Sequence, residues 1–146
     1  MMQKTELKIP SSLHSKCITF DIFLPENYEN KPIIVFAHGF KGYKDWGPFS
    51  LMMEKIAQNE FITVNMNFSH NGTTPEQLID FPDLEAFGKN TFSKELHDVK
   101  DVIDFLETKY NTSQLFLMGH SRGGSTMLIK SFEDERVKGT ITLGSV

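Results

Sequence analysis

The chain has 146 residues, with 15 Lys and Arg against 19 Asp and Glu, a net charge of −4, and 39 % apolar residues. That length predicts one domain, residues 1–146, able to bury about two-thirds of the surface its unfolded form exposes. Charged residues at 23 % and of both signs exclude a disordered chain, and without clustered Lys and Arg neither nucleic acid nor an anionic membrane is expected as a partner.

The first ten residues carry Lys4, Glu6 and Lys8 and no apolar h-region, and no apolar run reaches the ~18 residues of a membrane span. Cys17 is the single cysteine, which leaves no intrachain disulfide and no cysteine-rich metal site, so a reducing cytoplasm is the expected location. Cys17 to Leu24 mixes β-formers and polar residues in near alternation, and Pro25 ends it: an edge strand. Ile33 to Ala37 is a short apolar run without a polar face, as in a strand covered on both sides, and is expected at the centre of the sheet. His38 to Gly42 then turns. Pro48 suits a first helical position, and Phe49, Met52, Met53 and Ile56 share one helical face up to about Asn59.

Phe61 to Met66 is the next strand. Ser69 to Asn90 holds prolines, glycines and short polar residues, either a long site loop or an unrecognised helix. Phe92, Leu96, Val99, Ile103, Leu106 and Tyr110 recur at steps of three and four and predict a helix. Gln114 to Met118 is a strand, Arg122 to about Phe132 a helix, and Val137 to Leu143 a strand. Alternating strands and helices of this kind predict an α/β fold, an open and mostly parallel sheet with helices on both faces.

Gly119, His120, Ser121, Arg122 and Gly123 spell G-x-S-x-G between a predicted strand and a predicted helix, the context in which that pattern makes a nucleophile elbow. The turn must be tight enough to strain the serine backbone and expose its hydroxyl, and Gly119 and Gly123 are small enough to let strand and helix approach. Ser121 at a helix start faces free amide hydrogens and the positive end of the helix dipole. An acyl transfer also needs two backbone N–H groups aimed at the developing oxyanion. Arg122, which follows the serine, and Phe40, after His38 and Gly39 at the end of the central strand, are the candidates.

Through F-A-H-G-F (Phe36 to Phe40) and G-H-S-R-G-G (Gly119 to Gly124) the chain resembles the α/β-hydrolase superfamily. G-F-K-G-Y-K-D-W-G and N-F-S-H-N-G look like a bacterial branch related to dienelactone hydrolases and serine esterases, and the likeness runs from about Cys17 onward. It implies a serine nucleophile at Ser121 and an oxyanion hole at Phe40 and Arg122. Family members place the triad acid and then the histidine after the serine. Here the residues after Ser121 include Glu133, Asp134 and Glu135 but no histidine. The expectation is therefore an N-terminal portion of such a hydrolase, cut after the strand that follows the nucleophile helix, and inactive on its own for want of a base.

Other residues carry plainer readings. His120 is expected to be a structural part of the elbow, His38 to bond loop backbone, His70 to cap or meet solvent, and His14 and His97 to lie on the surface. No His pair has metal spacing, and neither metal nor other cofactor is expected. The Arg122 guanidinium is expected to pair with a carboxylate. Asp45 and Trp46 either wall an acyl pocket or pack their loop. Asn71-Gly72-Thr73 and Asn111-Thr112-Ser113 match a glycosylation triplet, which carries no weight without a secretion signal. The sequence thus predicts a serine hydrolase of small carboxylic esters or thioesters. The competing reading is a non-catalytic half-domain that self-associates through the apolar sheet edge at its last strand.

Overall fold

A computed structural model describes residues 1–111 and 113–146. The Asn111 triplet depends on Thr112 and so falls outside the described residues. Strands β1 (Gln3–Pro10), β2 (Cys17–Leu24), β3 (Ile33–Ala37), β4 (Ile62–Met66), β5 (Leu115–His120) and β6 (Val137–Leu143) form one sheet in the order β1-β2-β4-β3-β5-β6. Helices are α1 (Phe49–Ala57), α2 (Leu84–Gly88), α3 (Phe92–Lys109) and α4 (Arg122–Glu133). From β4 through β6 the strands are parallel, with Ala37 level with Met66 on one side and Gly119 on the other. Four carboxyl ends, those of β3, β4, β5 and β6, therefore open on one edge of the sheet.

Apolar residues divide the helices between the two faces. On one side Ile18, Phe20 and Ile22 of β2, with Val35 and Val64, pack against Val99, Val102, Ile103 and Leu106 of α3 and Met127 of α4. On the other, Phe23, Ile34, Phe36 and Met118 pack against Phe49, Met53 and Ala57 of α1. β3, fully buried from Ile33 to Ala37, is central, and its two parallel neighbours are reached by crossovers on opposite faces. That is a topological switch point, where open α/β sheets place their ligands beyond the strand ends.

One expectation is corrected. β2 is not an edge strand: it lies between β1 and β4, buried from Ile18 to Leu24. Its near-alternation reflects polar Thr19 and Asp21 that are themselves covered, not a solvent face. The true edge is β1, where Thr5, Leu7 and Ile9 turn inward and Lys4, Glu6 and Lys8 face water. Charged side chains of this kind protect a free edge from pairing. β5 runs on to His120, past the predicted end, so it delivers the chain directly to Ser121. Between Ser69 and Asn90 the chain is mostly irregular, with α2 a single short turn capped by Asp83, whose side chain accepts from the Ala86 amide at 3.0 Å. α3 begins at Thr91, whose hydroxyl accepts from the Lys94 amide at 3.2 Å.

Burial ranks the positions energetically. Ile103, 1 % exposed in the α3 face, loses its packing when truncated, so Ile103→Ala should cost about 2–5 kcal/mol. Ile141, 45 % exposed on β6, should cost no more than about 0.5 kcal/mol as Ile141→Ala. Urea unfolding of the two variants beside the parent chain measures the difference.

Candidate active site

Ser121 joins β5 to α4 at φ 51°, ψ −122°, a left-handed backbone conformation that a side-chain-bearing residue adopts only under constraint. The constraint is crowding. A Cβ on Gly119 would stand 2.4 Å from the Gly123 carbonyl carbon, and one on Gly123 would stand 2.2 Å from the His38 carbonyl oxygen. Three backbone segments thus meet where no side chain fits. The Ser121 amide donates to the Leu143 carbonyl of β6 at 2.9 Å, and the Ser121 carbonyl accepts from Gly124 at 2.9 Å to start α4. Among the described residues the Ser121 hydroxyl meets no hydrogen-bond partner, and neither the Arg122 nor the Phe40 amide hydrogen meets a protein acceptor.

Phe40 and Arg122 come together on the wall of a recess of about 70 Å³, which His38, Asn71, Phe87 and Glu95 also line. Ser121 stands at its side, its Cβ 3.1 Å from where a Cβ on Gly39 would be. Two sequence-predicted groups from chain segments far apart are thereby brought to one place. A roomier cavity of about 250 Å³, lined by Ile33, Leu106 and Leu115, opens at the other end of the strands and takes no part in this site.

The loop that carries Phe40 is fixed from below. Lys44, 1 % exposed, sends Nζ to Asp21 at 3.0 Å and Asp45 at 2.6 Å, while its amide donates to Asn67 Oδ1 at 2.7 Å and its carbonyl accepts from Asn65 Nδ2 at 2.7 Å. Burial works against the ammonium charge, but the hydrogen bonds it donates to Asp45 and Asp21, with their negative charges, outweigh it and raise the Lys44 pKa. Sequence reading missed this anchor. Its signal was Asp21 and Asn65 in the interior of otherwise apolar strands, since a buried carboxylate or amide needs a partner. Asp45 serves that ion cluster, and half-exposed Trp46 rests on the Phe49 ring; neither lines the recess.

The histidines sort by their partners. His38 is buried; its Nδ1 donates to the Gly39 carbonyl at 2.8 Å and its Nε2 accepts from the Phe68 amide at 3.3 Å. Burial pushes its pKa down to about 4, so it is a neutral loop strut, as expected. His120 lies half-buried against the Phe49 ring, 5.3 Å between centroids, and makes no bond to Ser121. His14 is not a surface residue: its ring packs edge-on against His70 at 4.6 Å, and its Nε2 lies 3.1 Å from Ser69 Oγ and 3.6 Å from Asp98 Oδ1. His70, expected at a cap or in solvent, is buried in the same group, and His97 is half-buried with Nε2 2.7 Å from Ser12 Oγ. The tight turn from β1 to β2 folds back on α3, bringing His14 onto His70 and Ser12 onto His97, contacts between distant segments that no local pattern announces.

Burial also pushes the Asp98 carboxyl up to about 7, against hydrogen bonds from Ser69 that favour its charge. Arg122 pairs as expected with a carboxylate, its Nε 2.9 Å from Glu95 Oε1. In the Asn71 triplet Asn71 is buried and Thr73 half-buried, the Asn71 side chain donating to the Gly42 carbonyl and accepting from the Thr73 hydroxyl.

A parallel-centred sheet flanked by helices on both faces, with a strained serine between strand and helix at its carboxyl edge, defines the α/β-hydrolase fold. The family model described as Chlorophyllase matches residues 1–139, and the chain belongs to that family. The match begins at residue 1 rather than near Cys17, which brings β1 into the family pattern. No curated protein sequence matches the chain.

Solved structures agree on the fold. The α/β hydrolase GrgF from Penicillium sp. sh18 superposes with a TM-score of 0.79 at 14 % identity, over 98 % of this chain and 46 % of its own. A dienelactone hydrolase from Anabaena variabilis gives 0.74 at 17 %, over 98 % and 64 %. A cold-adapted esterase from an Arctic intertidal metagenomic library gives 0.74 at 15 %, over 97 % and 60 %. The chain thus spans about half the length of the structures it matches. Among the described residues no helix is long and apolar enough to cross a membrane.

The titrating groups set a pH dependence of stability. His38 and His70 are both held at about 4 in the fold against an ordinary 6.5, so below about 6.5 the unfolded chain takes up protons that the fold refuses. Asp98 acts in the opposite sense, keeping in the fold, up to about 7, a proton that an unfolded carboxyl releases near 3.8. Two groups outweigh one, so stability should fall as pH drops from 6.5 to 4. The fall should be steeper in Asp98→Asn and shallower in His70→Asn; urea midpoints across that range measure it, and a flat parent profile contradicts the assignment.

Proposed function

We propose that this chain carries the nucleophile and oxyanion half of a cytoplasmic serine hydrolase that cleaves small carboxylic esters or thioesters through an acyl-enzyme on Ser121. The observation that supports it most is the strained Ser121 beside a recess walled by two residues whose amide hydrogens lack protein acceptors. The Chlorophyllase family match and the esterase and dienelactone hydrolase neighbours favour ester-type substrates.

In this reading Ser121 Oγ attacks the carbonyl carbon while a base takes its proton. The carbonyl oxygen becomes an anion that accepts from the Phe40 and Arg122 amides, each donor worth about 10²–10³ in rate. The tetrahedral species expels alkoxide or thiolate, which takes the proton back, and leaves an ester on Oγ that water hydrolyses by the same route. Among the described residues none supplies the base at Ser121, so base and acid are assigned to chain beyond these residues, and the 146-residue chain alone should turn over esters negligibly.

A second reading, a half-domain that pairs with another copy through its last strand, draws on Ile141 of β6 and Phe132 of α4, exposed by 45 % and 86 %. A single concentration-independent mass by size-exclusion chromatography counts against it.

The full-length gene product should be labelled by a fluorophosphonate at Ser121. Ser121→Ala should lose both that label and p-nitrophenyl ester turnover by at least about 10³-fold. An unlabelled parent protein, or a Ser121→Ala variant that keeps its turnover, overturns the proposal.

A further inference from the structure

Glu95 sits in the first turns of α3 with its side chain 2 % exposed, yet it borders the recess beside Phe40 and Arg122. Its carboxylate is fully engaged by neighbours on two other segments. Oε1 accepts from Arg122 Nε at 2.9 Å and from Asn90 Nδ2 at 2.8 Å, and Oε2 accepts from Thr126 Oγ1 at 2.7 Å. Arg122 and Thr126 are one helical turn apart on α4, so a single buried carboxylate staples the first turn of α4 to α3. The far face of the guanidinium is closed by the Phe92 ring, whose centroid lies 3.8 Å from Cζ. Arg122 is thereby held in a sandwich between an acidic clamp and an aromatic plate.

A buried ion pair adds little net stability over well-packed apolar residues; what it does fix is relative position. The position at stake here is that of the residue whose amide hydrogen is free beside Ser121. Glycine packing settles the elbow on the β3 side, where Gly123 abuts the His38 carbonyl. On the α3 side, beyond the apolar contact of Met127, the Glu95 clamp and the Phe92 plate hold the Arg122 side chain itself. Resting on the proposed function, we infer that Glu95 is a positioning residue for the oxyanion hole, acting through the Arg122 side chain to hold the Arg122 amide in line with the developing negative charge. It does not touch the reacting atoms. Its effect is confined to the transition state, where misplacing a donor by a fraction of an ångström lowers kcat without weakening substrate binding.

The test uses the full-length gene product and reads the fluorophosphonate labelling rate, kcat and KM for a p-nitrophenyl ester, and Tm. Glu95→Gln removes the charge but keeps the shape, and should lower kcat and the labelling rate about 10-fold while KM stays within about twofold. Phe92→Leu, on a ring 39 % exposed and outside both cores, removes the other half of the clamp with little risk to folding and should lower kcat about threefold. Combining Glu95→Gln with Arg122→Gln should cost less than the two single losses added, because both break one contact. Wild-type kcat in both Glu95→Gln and Phe92→Leu, with or without a fall in Tm, overturns the assignment, as does a change confined to KM. A parent protein that fails to label at all defeats the proposed function and this assignment with it, whereas a labelled parent with indifferent variants defeats the assignment alone.

Discussion

Everything distinctive in this structure follows from a shortage of room at one point. The end of β5, the first turn of α4 and the end of β3 approach so closely that a methyl group at Gly119 or Gly123 would lie 2.2–2.4 Å from backbone atoms. With the flanking residues pressed together, the residue between them has to take a positive φ, and that residue is Ser121. Such a conformation costs on the order of 1–3 kcal/mol and persists only because its surroundings over-determine it. The surroundings are identifiable: the hydrogen bond from the Ser121 amide to β6, the α4 turn closed on the Ser121 carbonyl, and the apolar layer that Met127 shares with α3. The strain at one residue is therefore carried by the burial of many.

The opposite wall is held by charge rather than by crowding. Phe40 stands on a loop whose support is a lysine buried among carboxylates and amides of β2 and β4. Such a cluster stabilises little compared with apolar packing, but losing one partner strands a buried charge, so the loop has few alternative positions. The two walls of the recess are thus fixed independently, one by a steric limit on the β5–α4 side and one by an ion network on the β2–β4 side. The sheet brings them together because β3 is the switch point between them.

Much of this arrangement was legible in the residues. Ile33 to Ala37 had no polar face and is central; the stripe from Phe92 to Tyr110 is α3; G-x-S-x-G between strand and helix is the elbow. Each of these rests on a local period or on a spacing that geometry demands. What escaped rests on contacts between distant segments. Thr5, Leu7 and Ile9 do alternate, yet the charged residues between them hide the strand, and with β1 unrecognised β2 reads as an edge. Asp21, Lys44 and Glu95 are polar residues whose burial becomes intelligible only beside their partners, 23 and 27 positions away in sequence. His14 shows the same blindness: nothing in the turn that carries it says it will pack on His70 and Asp98.

The division of chemistry within the chain has a physical logic of its own. An acyl transfer needs charge stabilisation and proton transfer, and the two place different demands on structure. The first is a matter of fixed backbone dipoles, which under the proposed function fall to the crowded elbow and the pinned loop at the centre of the sheet. The second needs an imidazole with a free nitrogen at the serine hydroxyl, and the imidazoles nearest the centre are committed elsewhere. His38 spends its acceptor nitrogen on the Phe68 amide, and His70 is turned toward Ser69 and His14. Burial at a pKa near 4 keeps both neutral, and the His38 ring, bonded to backbone through both nitrogens, cannot also take a proton from Ser121. Electrostatic preorganisation and proton relay are thus separable parts of one machine. Under the proposed function, the recess at Phe40 and Arg122 belongs to the part that tolerates no movement, and the part that must turn over with each cycle is a separate demand.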